Sequence, residues 1–187
     1  AFSLFLDDQY LKGNSLRTIT DYTNKLQVFL SRFGNCDLSD LRLDMLNDYA
    51  RDLRKTHSNT ITIQSYIRSL RAFLNWLYLN EHVEADFCRK FRLPRAYKPF
   101  INVLTDCEIE RIFEAYSDIS NPIHLRNRLI LSLMLDTGLR MNEVVTAEIT
   151  NLHLLEGYLI VTGKGSKQRA VSFGLTTMEH FNAYLKS

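Results

Sequence analysis

The chain is poor in the residues that staple, break or anchor a fold. Only three of its 187 residues are cysteine, Cys36, Cys88 and Cys107. They are odd in number and far apart, which fits neither a disulfide framework nor a zinc spacing, so no metal is expected. All three read as small core residues of a protein kept in a reducing cytoplasm. No apolar run approaches the length of about 20 residues that a membrane-spanning helix needs. Neither sign of charge dominates: 23 Lys/Arg against 21 Asp/Glu leaves a net +2, too little to argue for a polyanionic partner. There is no internal repeat and no low-complexity tract. The chain also lacks an initiator Met and a signal peptide. Ala1 leads straight into the amphipathic Phe2-Ser-Leu-Phe-Leu, so an excised piece of a longer protein is expected.

What is present is an ordinary globular composition, 45% hydrophobic and 24% charged. Phe2 to Leu11 reads as a short helix, broken at Gly13-Asn14. Ser15 then caps a second helix, in which Leu16, Ile19, Tyr22, Leu26, Phe29, Leu30 and Phe33 form one stripe up to Gly34-Asn35. A third runs from about Leu43 to Lys55. Ser58-Asn59-Thr60 caps a fourth, whose Ile63, Tyr66, Ile67, Leu70, Phe73, Leu74, Leu77 and Tyr78 face a core. Four such helices on short loops predict a small bundle over residues 1–90. Residues 91–100 lose the period and hold Pro94 and Pro99 within a cationic stretch, which reads as a linker.

The first hundred residues hold fifteen Lys/Arg and eleven Asp/Glu, the remainder eight and ten. The basic surplus therefore lies in the helical part. Gln64, Arg68, Arg71 and Asn75 share one face of the fourth helix, and Arg17, Thr18, Asp21 and Lys25 cluster near the start of the second. Gln, Arg, Asn and Thr are the side chains that meet base edges and phosphates, although a solvated helix face is the competing reading.

The stretch around which the rest is organised is Asp136-Thr-Gly-Leu-Arg140-Met-Asn-Glu143-Val144. It follows Leu129–Leu135, an almost purely apolar run that reads as a buried helix. Gly138 ends that helix and a second starts near Arg140, bringing a guanidinium to a helix start, where a cation is disfavoured. That is a candidate anion site; an i,i+3 Arg140–Glu143 pair on a solvated face is the alternative. Leu104-Thr105-Asp106-x-Glu108 upstream is a capping box, and Pro122 opens the long helix. Downstream, Leu152–Gly157 reads as a loop. Tyr158–Thr162 and Gln168–Phe173 then make a hairpin around Gly163-Lys164-Gly165-Ser166-Lys167, and Thr176–Lys186 is a last helix. The turn is no P-loop, because position 158 is Tyr and Lys164 is followed by Gly.

Thr-Gly-Leu-Arg-x-x-Glu after an apolar helix resembles the first-arginine box of the tyrosine recombinase, or phage-integrase, family. Gly-Lys-Gly-x-Lys-x-Arg on a hairpin resembles the family's catalytic-lysine turn. The helical bundle is similar to its core-binding domain, and Leu-Thr-x-x-Glu-Ile to the opening of its catalytic domain. The resemblance implies a mainly α fold with a small β-hairpin: a four-helix DNA-binding domain at 1–90, a linker at 91–100 and, at 101–187, the first half of an α+β catalytic domain. It implies Arg140 and Lys164 as catalytic groups with Glu143 orienting them. Contacts to double-stranded DNA would come from Arg17, Thr18, Lys25, Thr60, Gln64, Arg68, Arg71, Lys167 and Arg169. Further copies of the chain on DNA are implied, and neither cofactor nor metal. The family's His-x-x-Arg box, second His or Trp and tyrosine nucleophile have no match. His180 is not followed by Arg at the third position, and Tyr184 reads as a core residue. The segment itself is therefore expected to bind DNA without cutting it. A non-catalytic integrase-derived DNA-binding module and a type IB topoisomerase-like nicking enzyme are the alternatives.

Overall fold

The computed structural model describes residues 1–34, 36–96, 100–163, 165 and 167–187. It divides into two compact units, Ala1–Ile101 and Asn102–Ser187.

The first unit is helical: α1 (Phe2–Leu11), α2 (Leu16–Phe33), α3 (Leu43–Thr56), α4 (Thr60–Leu79) and the single turn α5 (Phe87–Lys90). Ser15 Oγ accepts from Thr18 N at 3.2 Å and Asn59 Oδ1 from Ile61 N at 2.9 Å, so α2 and α4 begin on capping side chains. The core gathers around α4, where Ile63, Ile67, Leu70, Leu74 and Leu77 are all buried. Phe5 of α1 is fully enclosed, with ring contacts to Tyr22, Phe73 and Trp76 at 5.2–5.9 Å.

Three expectations change here. Trp76, not Tyr78, completes the apolar face of α4: Trp76 is 8% exposed and Tyr78 40%. The packing of α1 against α4 widens the buried stripe toward Trp76 and leaves Tyr78 on the far flank. The start of the expected linker belongs to the bundle, because Phe91 is buried in its core and Gln64 Nε2 donates to Pro94 O at 2.6 Å. The cysteines do not share a core role either. Cys36 and Cys107 are exposed and only Cys88 is half-buried, since Cys36 follows the last turn of α2 and Cys107 lies on the outer face of a first turn.

The second unit comprises α6 (Asp106–Glu114), α7 (Pro122–Thr137), α8 (Met141–Val145), β1 (Leu152–His153), β2 (Tyr158–Thr162), β3 (Gln168–Ser172) and α9 (Leu175–Leu185). The Thr105–Glu108 capping box is formed, with Glu108 Oε2 taking Thr105 N at 2.8 Å. The sheet is antiparallel in the order β1-β2-β3, with Val161 opposite Arg169 and Thr162 opposite Gln168. The two-residue β1 lies where a loop was expected; it pairs with the foot of β2, and so short a strand carries no alternation of its own.

Leu129, Leu133, Leu139, Leu159, Val161, Phe173 and Phe181 form this unit's core. The apolar run of α7 is buried on one side only. Leu135 is 48% exposed, and Ile130, Leu133, Val144, Phe181, Tyr184 and Leu185 border an apolar hollow of about 450 Å³. Tyr184 thus sits at the rim of this hollow, not within a core. The start of α9 is capped from a distance: its N-cap is Gly174, which has no side chain, and Asp136 Oδ2 of α7 accepts from Gly174 N at 2.6 Å and Thr177 Oγ1 at 2.9 Å.

Candidate functional site

The site is built by the break between α7 and α8. Gly138 ends α7 in the left-handed conformation at φ 65°, which a side chain would resist. Leu139 then drops into the core at 3% exposure, and the following residue, Arg140, turns outward. Its side chain is 79% exposed. Arg140 is the N-cap of α8, not a first-turn residue, and α8 has only five residues. Its free amide is already engaged, since Arg140 N donates to Glu143 Oε2 at 2.9 Å. That amide is therefore not available to an anion at the helix start.

Glu143 is the centre of the arrangement. It is 6% exposed and carries a full carboxylate, so it needs partners. Arg169 of β3 supplies a fork: Nη1 to Oε1 at 2.8 Å and Nη2 to Oε2 at 3.0 Å. Arg140 Nη1 stands farther off, 3.3 Å from Oε1. The Arg169 hydrogen bonds, and after them the Arg140 amide, hold the Glu143 carboxyl down to about 2 against the opposing effect of burial. The Arg140–Glu143 pair therefore has one solvated end and one buried end, unlike a simple surface pair.

The hairpin approaches the same carboxylate. A Cβ at Gly163 would lie 3.1 Å from Arg169 Nη1 and 3.3 Å from Glu143 Oε1, so glycine is what lets the backbone pass the ion cluster. Gly163 N donates to Lys167 O at 2.8 Å, closing the turn, and Gly165 takes φ 76°. Lys167 is exposed. Lys164 lies outside the described residues, as do Ser166 and, in the first unit, Asn35.

The candidates on the first unit differ in availability. Arg17 is exposed in the first turn of α2, bordering a surface hollow with Thr18, Asp21 and Asn24. The Thr18 hydroxyl is hydrogen-bonded to Ser15 Oγ at 2.9 Å. Lys25 is 17% exposed, pairs with Asp21 and donates to Ser65 Oγ at 2.6 Å, so it ties α2 to α4. Gln64 is likewise engaged: while its amide nitrogen holds Pro94, its Oε1 accepts from Arg68 Nη2 at 3.0 Å. Arg68 is exposed and stands out from this pair; Thr60 and Arg71 are half-buried.

Three cations were missed as a group. Arg54, at the end of α3, borders two hollows that also touch Arg92 and Arg95. The cationic run was visible in the sequence, but the placing of Arg92 and Arg95 beside Arg54 was not. In the second unit His180 was set aside as outside any box. Its Nδ1 lies 2.7 Å from Ser132 Oγ, its Nε2 3.4 Å from Arg128 Nη2, and its ring stacks on Phe113 at 5.7 Å. Burial, and then Arg128, lower its pKa from the ordinary 6.5.

Residues 102–187 match the Phage integrase family and residues 4–81 match the Phage integrase, N-terminal SAM-like domain. Tyrosine recombinase XerC of Bacillus subtilis (strain 168) is 29% identical over 187 residues, covering 96% of this chain and 60% of the relative. Tyrosine recombinase XerD of Listeria innocua is 28% identical over 179 residues, at 94% and 60%. The chain thus spans about 60% of the length of these curated relatives. Among solved structures, a lambda integrase(75-356) dimer bound to a COC' core site aligns with TM-score 0.77 at 16% identity, covering 99% of this chain and 67% of that one. The Tn1549 transposon integrase in complex with a circular intermediate DNA aligns with TM-score 0.78 at 15% identity, covering 100% and 65%. At these identities the two structures show a shared fold. With both units matched in order by the same family, the chain belongs to the phage integrase family of tyrosine recombinases.

Proposed function

We propose that this chain serves an enzyme that recombines double-stranded DNA at specific sites by breaking and rejoining its strands. In the reaction a tyrosine hydroxyl attacks a backbone phosphorus, the bond to the 5′ oxygen breaks, and a 3′-phosphotyrosine forms. A 5′-hydroxyl from a partner strand reverses the step, so the bond energy is conserved and no nucleotide or metal has to supply it. The observation that carries the reading is the Arg140 guanidinium, exposed but anchored over the buried Glu143 beside a glycine-lined turn. A planar, permanently charged fork suits the non-bridging oxygens of a phosphorane-like transition state. Lys164 is assigned to protonate the leaving 5′ oxygen. Arg17, Thr18, Thr60, Arg68, Arg71 and Lys167 are assigned to the DNA, with Lys25 and Gln64 holding the helices that present them. The tyrosine and the His-x-x-Arg box have no match in residues 1–187, so catalysis belongs to the full-length protein. Copies of the protein would meet on DNA, a reading supported by lambda integrase having been solved as a dimer on a core site and as a tetramer on a Holliday junction; the cytoplasm is the compartment assigned to them.

The test uses the full-length protein and DNA carrying sulfur at the bridging 5′ position, a leaving group that needs no proton. Lys164→Ala should slow cleavage of ordinary DNA and recover on the thio-substrate. Arg140→Lys keeps the charge but loses the fork; it should lose roughly 100- to 1000-fold in rate on both substrates. Rescue of Lys167→Ala instead of Lys164→Ala would transfer the acid role to Lys167.

A further inference from the structure

We infer that Arg169 is a positioning residue, not a DNA contact: it neutralises the buried Glu143 and so leaves the charge of Arg140 free for phosphate. This rests on the proposed role of Arg140. Three groups share one charge ledger. Glu143 carries one negative charge and is 6% exposed, while two arginines face it. Arg169 takes both carboxylate oxygens, at 2.8 and 3.0 Å, in the geometry a guanidinium fork prefers. Arg140 meets one oxygen with one nitrogen at 3.3 Å and keeps 79% of its side chain in solvent. The carboxylate is thus satisfied mainly by Arg169, and the cluster presents its surplus positive charge on Arg140. Without Arg169 the buried carboxylate would have, among the described residues, Arg140 alone as a paired cation, and Arg140 would close onto it. The low pKa of Glu143 fits this arrangement, because the carboxylate is held ionised mainly by Arg169.

The same clamp joins two segments far apart in sequence. Arg169 lies 26 residues after Glu143, on the strand that leaves the lysine turn. Gly163 enters that turn within 3.1–3.3 Å, Cβ to polar atom, of the two charged groups. The pair therefore sets the distance between the arginine and the strand that leads into the turn. The family resemblance implied Arg169 as one more DNA contact.

The experiment measures binding of this chain to a short fluorescein-labelled DNA duplex by anisotropy as a function of salt, with circular dichroism as the check on folding. Arg140→Ala should weaken binding about ten-fold at low salt and reduce the salt slope by about 0.9. Arg169→Ala should do the same, although Arg140 is intact. Adding Glu143→Gln to Arg169→Ala should restore both affinity and slope, because no buried charge remains to capture Arg140. Loss without restoration means that Arg169 touches DNA itself and overturns the inference. If Arg140→Ala leaves binding unchanged, the assignment of Arg140 to phosphate fails first and the inference falls with it.

Two further variants keep the test decisive if R169A does not fold. Arg169→Lys retains the compensating charge and should bind within about three-fold of the parent. Glu143→Gln alone should bind about three-fold tighter, since it removes the carboxylate that, among the described residues, pairs with Arg140. Unchanged or weaker binding by E143Q, or a loss in R169K as large as in R140A, refutes the compensation.

Discussion

The two units handle charge in opposite ways. In the first, cations are abundant and many are paired with an acid one turn away on the same helix: Lys12 with Asp8, Lys25 with Asp21, Arg51 with Asp48, Lys55 with Asp52. Most of these pairs are well exposed to water, where an ion pair is worth little. In the second, acids outnumber bases, yet one buried carboxylate organises two arginines from separate elements. Arg32 of α2 also pairs with Asp52 of α3, and Lys25 reaches Ser65 of α4, but the local pairs mostly decorate helices that hydrophobic burial already holds. Long-range pairing around a buried charge fixes where a functional group stands. The number of cations in a unit is therefore a poor guide to where its chemistry lies.

The strongest way to break the comparison is to remove what holds the first unit instead of its charges. Phe5→Ala empties a fully enclosed site and should destabilise that unit by about 3–5 kcal/mol. Trp76, the only tryptophan, has its ring centroid 5.9 Å from that of Phe5 and reports the loss as a lower urea midpoint in fluorescence. In the second unit the comparable single change is polar. Asp136→Ala deprives Gly174 N of its acceptor, leaves Thr177 Oγ1 the longer bond to Ser132 Oγ at 3.5 Å, and should cost about 1–2 kcal/mol, with faster amide hydrogen exchange in the first turn of α9.

A smaller effect depends on pH. Burial and Arg128 push the pKa of His180 below its ordinary 6.5, so the fold prefers the neutral ring. Above about 6.5 neither folded nor unfolded chain protonates His180, and its contribution is fully present. As pH falls below that value the unfolded chain takes up the proton first and the second unit loses stability. His180→Asn should flatten the dependence of the denaturant midpoint between neutral pH and about pH 5; an unchanged slope would assign it to other groups. The least effect is expected from Arg51→Ala, which removes an exposed i,i+3 pair and should change stability by about 0.5 kcal/mol or less.

Much of the frame was legible in the sequence because it is local. The three- and four-residue recurrence of Ile63, Ile67, Leu70, Leu74 and Leu77, the Thr105–Glu108 box and the break at Gly138 each depend on neighbours within one or two turns. The hairpin at 158–173 was readable for the same reason. What escaped depends on contacts between distant segments. Trp76 is buried in part by Phe5 of α1, and Phe91 joins the core because its segment lies against the bundle. Glu143 and Arg169 each looked like one half of something else, since 26 residues separate them. The fork could be found only once β3 was laid beside α8.

Asp136 has one more consequence, for the order in which the second unit assembles. The amide of Gly174, just before α9, finds its acceptor 38 residues back along the chain, and that glycine has no side chain to offer the helix. A helix of eleven residues without a local cap is a poor nucleus by itself. It gains its start only after α7 is formed and the intervening sheet has brought the chain back. The last helix should therefore form only with α7 in place, and Asp136 couples the two.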